Sequence, residues 1–211
     1  MDNSTTIAGA RRQATPSPWS VFFQGFLKHP VMVGAVLPSS SFVIDRVLSR
    51  VDWKRAKVFV EYGPGIGTFC QPVLDRLPAD AKLIAIDTNP DFIAYLGDAI
   101  RDSRFVPVLG SAEDVAQILA EHGHDGADYV LSGLPFSTLP PGVGDAIARA
   151  TANVLRPDGA FLVYQYRPKC RTFFAPYLPD IAHAIEWRNL PPTQIYWARK
   201  PKPVEPNSND S

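Results

Sequence analysis

Cysteine is scarce in this chain of 211 residues, with only Cys70 and Cys170. They lie far apart and have no Cys/His neighbours at ligand spacing, which excludes a disulfide framework and argues against a zinc site, so free buried thiols in a reducing compartment are expected. Excess charge is missing too. Lys plus Arg and Asp plus Glu number 21 each, so the net charge is zero, which argues against a broad basic surface for nucleic acid. No apolar run reaches the ~18 residues of a membrane-crossing helix, and Met1 to Arg12 show no cleavable signal pattern. The expectation is a cytoplasmic protein, with room for peripheral contact at the inner face of a membrane.

With an apolar content of 45%, the chain suffices for one domain with a substantial core. Its charges are unevenly placed: residues 1–60 carry eight Lys/Arg against three Asp/Glu, and residues 61–128 four against twelve. The basic end could meet an anionic surface, or be no more than a solvated exterior.

Residues 1–16 are polar and small and read as a disordered tail. In the segment 17–56, Trp19, Phe22, Phe23, Phe26 and Leu27 form an apolar stripe at helical spacing, between Pro18 and Pro30. This helix at 18–29 is either a lid over a site or an element lying on a membrane surface. Ser39, Ser40 and Ser41 are cap candidates for a following helix whose core face is Val43, Ile44, Val47, Leu48 and Val51.

From Lys57 short apolar strands alternate with helical patterns. Strands are expected at 58–62, 82–87, 105–109, 128–132 and 160–166, with helices at 68–77, 90–101, 113–121 and 142–155. Such alternation predicts an α/β fold: a mostly parallel, Rossmann-like sheet with helices on both faces and ligands at the strands' carboxyl ends. Two segments, 184–190 and 193–200, should close it as an antiparallel pair. The domain then spans 57–200, and a Pro-rich polar tail fills 201–211.

The first strand runs into Glu61, Gly63, Gly65 and Gly67, a glycine turn that leaves bare backbone for a ligand. Amides at the next helix start favour an anionic group. The second strand ends in Asp87, followed by Thr88, ~20 residues on, where an acid can accept both hydroxyls of a ribose. The spacing is E-x-G-x-G-x-G and not the G-x-G-x-x-G of dinucleotide loops. It resembles the first motif of class I S-adenosylmethionine-dependent methyltransferases. That resemblance implies S-adenosylmethionine as cofactor, S-adenosylhomocysteine as product, and Glu61, Gly63, Gly65, Gly67, Asp87 and Thr88 as cofactor residues. Ser39 and Ser40 are candidates for its carboxylate, although capping alone explains them as well.

In methyltransferases of this class the third strand end usually supplies an Asp to the adenine. Here Gly110 is followed by Ser111, Ala112, Glu113 and Asp114, so Ser111, Glu113 or Asp114 could serve, with the Ala112 amide facing the ring. A plain helix start accounts for the same acids. After the fourth strand, Ser132-Gly133-Leu134-Pro135-Phe136 resembles the N/D-P-P-Y motifs of amine and adenine N-methyltransferases. In those, a backbone carbonyl before proline accepts a hydrogen bond from the target nitrogen. Proline restrains the Leu134 carbonyl, Phe136 offers a π-face and Ser132 a small hydroxyl.

VGAVLPSS (33–40), EYGPGIGTF (61–69), SGLPF (132–136), GAFLVYQYRPK (159–169) and NLPPTQIYWARK (189–200) together resemble the bacterial phospholipid N-methyltransferases, relatives of the rRNA adenine dimethyltransferases. The resemblance implies stepwise methylation of phosphatidylethanolamine to phosphatidylcholine, with Ser132, Gly133, Leu134 and Pro135 at the amine; Phe136 and Tyr166 could line the amine's pocket, the basic end could make peripheral contact with an anionic membrane, and no metal site is expected. Tyr164 and Tyr177 could also line an amine pocket, and Arg167, Lys169 and Arg171, with Lys28 and His29, could pair with a lipid phosphate. The alternatives are a small-molecule N- or O-methyltransferase, an rRNA adenine N-methyltransferase, or a membrane-associated binding protein that retains a cofactor fold.

Overall fold

Val58–Tyr62 is buried along its whole length, and its alternate side chains serve two separate cores. Val58, Val60 and Tyr62 face one layer of helices, and Phe59 faces the other. The computed structural model describes residues 40–201. The expected helix at 18–29, Lys28, His29, Ser39, the tail at 1–16 and residues 202–211 lie outside the described residues.

Thirteen elements position the site: α1 (Ser41–Leu48), β1 (Val58–Tyr62), α2 (Cys70–Leu74), β2 (Lys82–Asp87), α3 (Pro90–Ala99), β3 (Phe105–Leu109), α4 (Val115–Glu121), β4 (Ala127–Ser132), α5 (Val143–Val154), β5 (Leu155–Gln165), α6 (Arg171–Phe174), β6 (Asp180–Glu186) and β7 (Thr193–Arg199). The strands form one seven-stranded sheet in the order β3-β2-β1-β4-β5-β7-β6. The first five are parallel, and β7 runs antiparallel to both β5 and β6. Side chains of α1, α2 and α3 fill one core, and those of α4, α5 and α6 the other. Crossover helices have to cover both faces of a parallel sheet, so its strands read as near-continuous apolar runs.

The order reverses beside β1: the chain goes outward through β2 and β3, then returns to lay β4 on the other flank of β1. At such a switch point the two connections part and leave a crevice outside the carboxyl ends of the strands. The opposite edge is tied by Asp128, which accepts the Lys57 and Val58 N–H groups at 2.8 Å each and pairs with Arg156 at 3.1 Å. Trp197 anchors α1 by donating its indole N–H to the Val47 carbonyl at 2.8 Å.

Several boundaries differ from expectation. The helix expected at 68–77 is regular only over Cys70–Leu74, because the glycine turn runs on to Gly67 and Pro78 closes the segment. A short 3-10 turn, Ala112–Asp114, precedes α4. β5 begins at Leu155, with an irregular register before Ala160. β6 begins at Asp180 and ends at Glu186, not Leu190, because Arg188 turns back onto the Glu186 carboxylate through its N–H at 3.0 Å and its guanidinium at 2.7 and 2.8 Å.

Candidate active site

The loop after β1 is built on three glycines with positive φ: 64° at Gly63, 55° at Gly65 and 84° at Gly67. Gly63 and Gly67 are also pressed by neighbours, since an added Cβ would meet the side chains of Leu134 and Leu96 at 2.9 and 2.6 Å. Around Gly65 a Cβ would meet nothing within 4 Å. Its glycine answers to backbone conformation, and the open space beside it is available to a ligand.

Two buried carboxylates flank this loop. Glu61 and Asp87 are each only 3% exposed, and neither has a basic partner among the described residues. Asp87 accepts the Asn89 N–H at 2.9 Å and the Gly65 N–H at 3.4 Å, which ties the end of β2 to the glycine loop. Burial raises its pKa, while the backbone N–H groups of Asn89, Gly65 and Thr88 oppose the rise. Glu61 accepts the thiol of Cys70 at 3.3 Å. Burial pushes this acid up to about 7, the nearby Asp87 charge adds to the rise, and the Cys70 hydrogen bond opposes it. Buried acids without counter-charges are costly, and a cationic ligand would relieve them.

A small cleft opens here, lined by Gly63, Ile86, Asp87, Thr88, Gly110, Ser111, Ala112 and Leu134. On its wall, the Thr88 hydroxyl is buried without a hydrogen-bond partner among the described residues, a group that a polar ligand atom could satisfy. The Ser40 hydroxyl is likewise buried and unpartnered among the described residues; Ser40 caps α1 without a side-chain hydrogen bond. The Ser111 hydroxyl accepts the Glu113 N–H at 3.2 Å, so it caps the following turn, and both Ser111 and Ala112 line the cleft. Glu113 is half-buried and bonded back to Ser111; Asp114 is exposed.

On the other side of the switch point, Ser132 is fully buried and its hydroxyl accepts the Leu134 N–H at 3.2 Å, shaping the turn before Pro135. The Leu134 carbonyl takes two donors: the Phe136 N–H at 2.9 Å and the side-chain amide of Gln165, at the end of β5, at 2.5 Å. Gln165 was not legible as a site residue, because only the β5 register brings it to the 132–136 turn. Gly133 lies where an added Cβ would fall 2.6 Å from the Tyr164 hydroxyl and 3.6 Å from the Gly63 carbonyl, so β1, β4 and β5 converge there.

Phe136 departs from expectation. It is 1% exposed, with its ring packed edge-on to Phe161 and tilted against Phe173, so it belongs to the core and offers no open face. The Tyr177 hydroxyl is also committed, donating to the Asp145 carboxylate at 2.9 Å. Tyr164, its ring centroid 4.8 Å from that of Phe69, and Tyr166 are half-buried at the end of β5. Among the described residues no histidine lines the cleft and no cluster of three His, Cys, Asp or Glu could hold a metal.

A glycine loop between two buried acids, at the switch point of a 3-2-1-4-5-7-6 sheet, defines a methyltransferase of the class that uses S-adenosylmethionine. Solved structures of this class share the fold. The N1-methyltransferase for 1,6-didemethyltoxoflavin of Burkholderia thailandensis, solved with S-adenosylhomocysteine, matches at TM-score 0.63 and 15% identity, over 89% of this chain and 91% of that one. The precorrin-6y C5,15-methyltransferase of Geobacter metallireducens matches at TM-score 0.63 and 16% identity, over 79% and 92%. No family model matches the chain. The ornithine lipid N-methyltransferase of Singulisphaera acidiphila is 30% identical over 181 residues, covering 85% of this chain and 94% of that protein. The chain therefore belongs to the class I S-adenosylmethionine-dependent methyltransferases, in the family of that enzyme. Its cofactor is S-adenosylmethionine, and the residues fit it: open space at Gly65, an unpartnered Thr88 hydroxyl and uncompensated Glu61 and Asp87.

Proposed function

We propose that this methyltransferase transfers methyl groups to the headgroup amine of a membrane lipid. The observation that carries the reading is the convergence of a proline-restrained turn, Ser132 to Phe136, with the glycine loop and the end of β5. When bound, S-adenosylmethionine supplies an electrophilic methyl on a sulfonium. Glu61, Asp87, the Thr88 hydroxyl and the Gly65 backbone are the groups that would hold it. The acids favour its positive charge, and the glycine leaves it room.

The acceptor side follows from the Leu134 carbonyl. Both of its lone pairs are filled, by Phe136 and Gln165, so an incoming amine N–H takes the place of the Gln165 amide. The released Gln165 can then turn its own carbonyl oxygen toward the same nitrogen. An alkyl ammonium has a pKa near ~10 and must lose a proton before it attacks, and acceptors aligned with its N–H bonds hold the lone pair in one direction. In this reading the proton leaves to solvent; among the described residues no histidine lines the cleft. Tyr164 and Tyr166 supply aromatic surface for the growing quaternary charge. Arg167, Lys169 and Arg171, exposed and without ion pairs among the described residues, stand ready for the anionic part of the headgroup.

The resemblance to phospholipid N-methyltransferases suggests phosphatidylethanolamine, and the name of the relative suggests ornithine lipid; both carry a primary amine near an anion. The test incubates the purified chain and methyl-labelled cofactor with vesicles of phosphatidylethanolamine, of ornithine lipid, or of phosphatidylglycerol, which lacks an amine. Chromatography of the extracted lipids should show label in one amine lipid and none in phosphatidylglycerol. No label in either amine lipid, with label instead in RNA or a water-soluble amine offered in parallel incubations, would overturn the proposal.

A further inference from the structure

The turn between β6 and β7 carries the two most exposed large apolar residues among those described: Trp187 is 72% exposed and Leu190 86%. It is a built turn. Arg188 is held by the Glu186 carboxylate, and its guanidinium lies 4.2 Å over the ring of Phe42 in α1, itself 46% exposed. Arg188 itself stays about 60% exposed over that ring, and Trp187 and Leu190 of the same turn face solvent.

The sheet register fixes where this tip stands. β5 ends at Gln165, opposite Gln194 of β7, and Thr193 is opposite Glu186 at the end of β6. The 187–192 turn therefore lies at the carboxyl edge of the sheet, two strands from β4 and on the same edge as Gly63, Asp87 and the Ser132–Phe136 turn. On the same edge, just beyond β5, stand the exposed cations Arg167, Lys169 and Arg171. An indole and an isobutyl group raised on the same edge as exposed cations match a bilayer surface, where aromatic and apolar side chains enter the headgroup layer and cations meet lipid phosphates.

We infer that the carboxyl edge of the sheet, with Trp187 and Leu190 at the tip of the β6–β7 turn and Arg167, Lys169 and Arg171 just beyond β5, is a docking surface for an anionic lipid bilayer. Docked this way, the site faces the membrane, and a headgroup has only to rise from the bilayer to reach the strand ends. The surface deepens the lipid-headgroup reading, but binding is read without cofactor or methyl transfer, so either can fail alone.

The full-length chain is mixed with phosphatidylglycerol–phosphatidylcholine vesicles and sedimented, and the Trp187→Ala/Leu190→Ala pair is compared with the parent. Removing two side chains that enter the interface should weaken partitioning at least about tenfold, with S-adenosylhomocysteine affinity within about twofold of the parent as the mark of an intact fold. Vesicles with bromine in their acyl chains should quench a part of the parent's tryptophan emission that is absent from Trp187→Phe. Unchanged sedimentation of the double variant would overturn the inference. So would a Trp187 already shielded from aqueous iodide before vesicles are added, which would mean that residues 1–39 or a second copy cover the tip. A dimer that the double variant dissolves would equally assign the surface to self-association.

Discussion

Replacing Glu61 by Gln should make the ligand-free protein more stable and its cofactor affinity worse. In the folded chain this acid is pushed up to about 7 from an ordinary value of 4.5, chiefly by burial. The raised value means that the folded state holds the proton more tightly than the unfolded one. Below pH 4.5 both states are protonated and Glu61 costs nothing. As pH rises from 4.5 to 7 the unfolded chain ionises freely and the folded chain is penalised, and the full cost is present above pH 7. At about 1.4 kcal/mol per pH unit, that cost is about 3 kcal/mol. Gln keeps the shape and an oxygen for the Cys70 thiol, but its buried NH₂ needs a partner, which leaves a gain of about 2 kcal/mol. For a chain of this size the gain corresponds to roughly 4–8 °C in Tm at pH 8.

The assays are thermal unfolding at pH 8 and pH 5, and calorimetric titration with S-adenosylhomocysteine. The Tm gain should be present at pH 8 and nearly gone at pH 5. The affinity should fall about tenfold or more, because a charge-assisted hydrogen bond is worth ~1.5–3 kcal/mol. An equal gain at both pH values, or a variant less stable than the parent at pH 8, would refute the burial argument; an unchanged affinity would refute the role of Glu61 toward the cofactor.

Gln165→Leu removes the amide that fills the Leu134 carbonyl. Its kcat/KM should drop about tenfold or more for a primary amine, which brings N–H donors to that turn, and about threefold or less for a dimethylated amine. Cofactor affinity should hold, and equal losses on both amines would reduce Gln165 to a structural part. Gly65→Ala puts a methyl group into open space but at a φ of 55°, costing ~1–2 kcal/mol of stability. Because that space is the ligand's, calorimetry should show the S-adenosylhomocysteine Kd raised by about tenfold or more.

Strand positions were legible because each strand is an apolar run bounded by Gly, Pro or Asp; the β1, β2 and β3 ranges match the sequence reading to the residue. Helix limits were less so. The 68–77 segment looks helical by composition, yet the backbone of the glycine turn occupies its first residues. The aromatic residues misled for a related reason. SGLPF places Phe136 next to the acceptor turn in sequence, but the short 3-10 turn at Phe136–Thr138 sends its ring into the core with Phe161 and Phe173. Chain adjacency does not fix the direction of a side chain once the backbone turns.

By itself the sequence determined a parallel α/β sheet, its glycine loop and the carboxylate that follows on the next strand, because these are local patterns of a few consecutive residues. Only the tertiary structure decided what meets at the strand ends. Gln165 reaches the Leu134 carbonyl, Tyr164 excludes a side chain from Gly133, and the Trp187–Leu190 turn rises beside the site. Those partners come from strands far apart along the chain, and sheet order and register, set by burial over the whole molecule, bring them together.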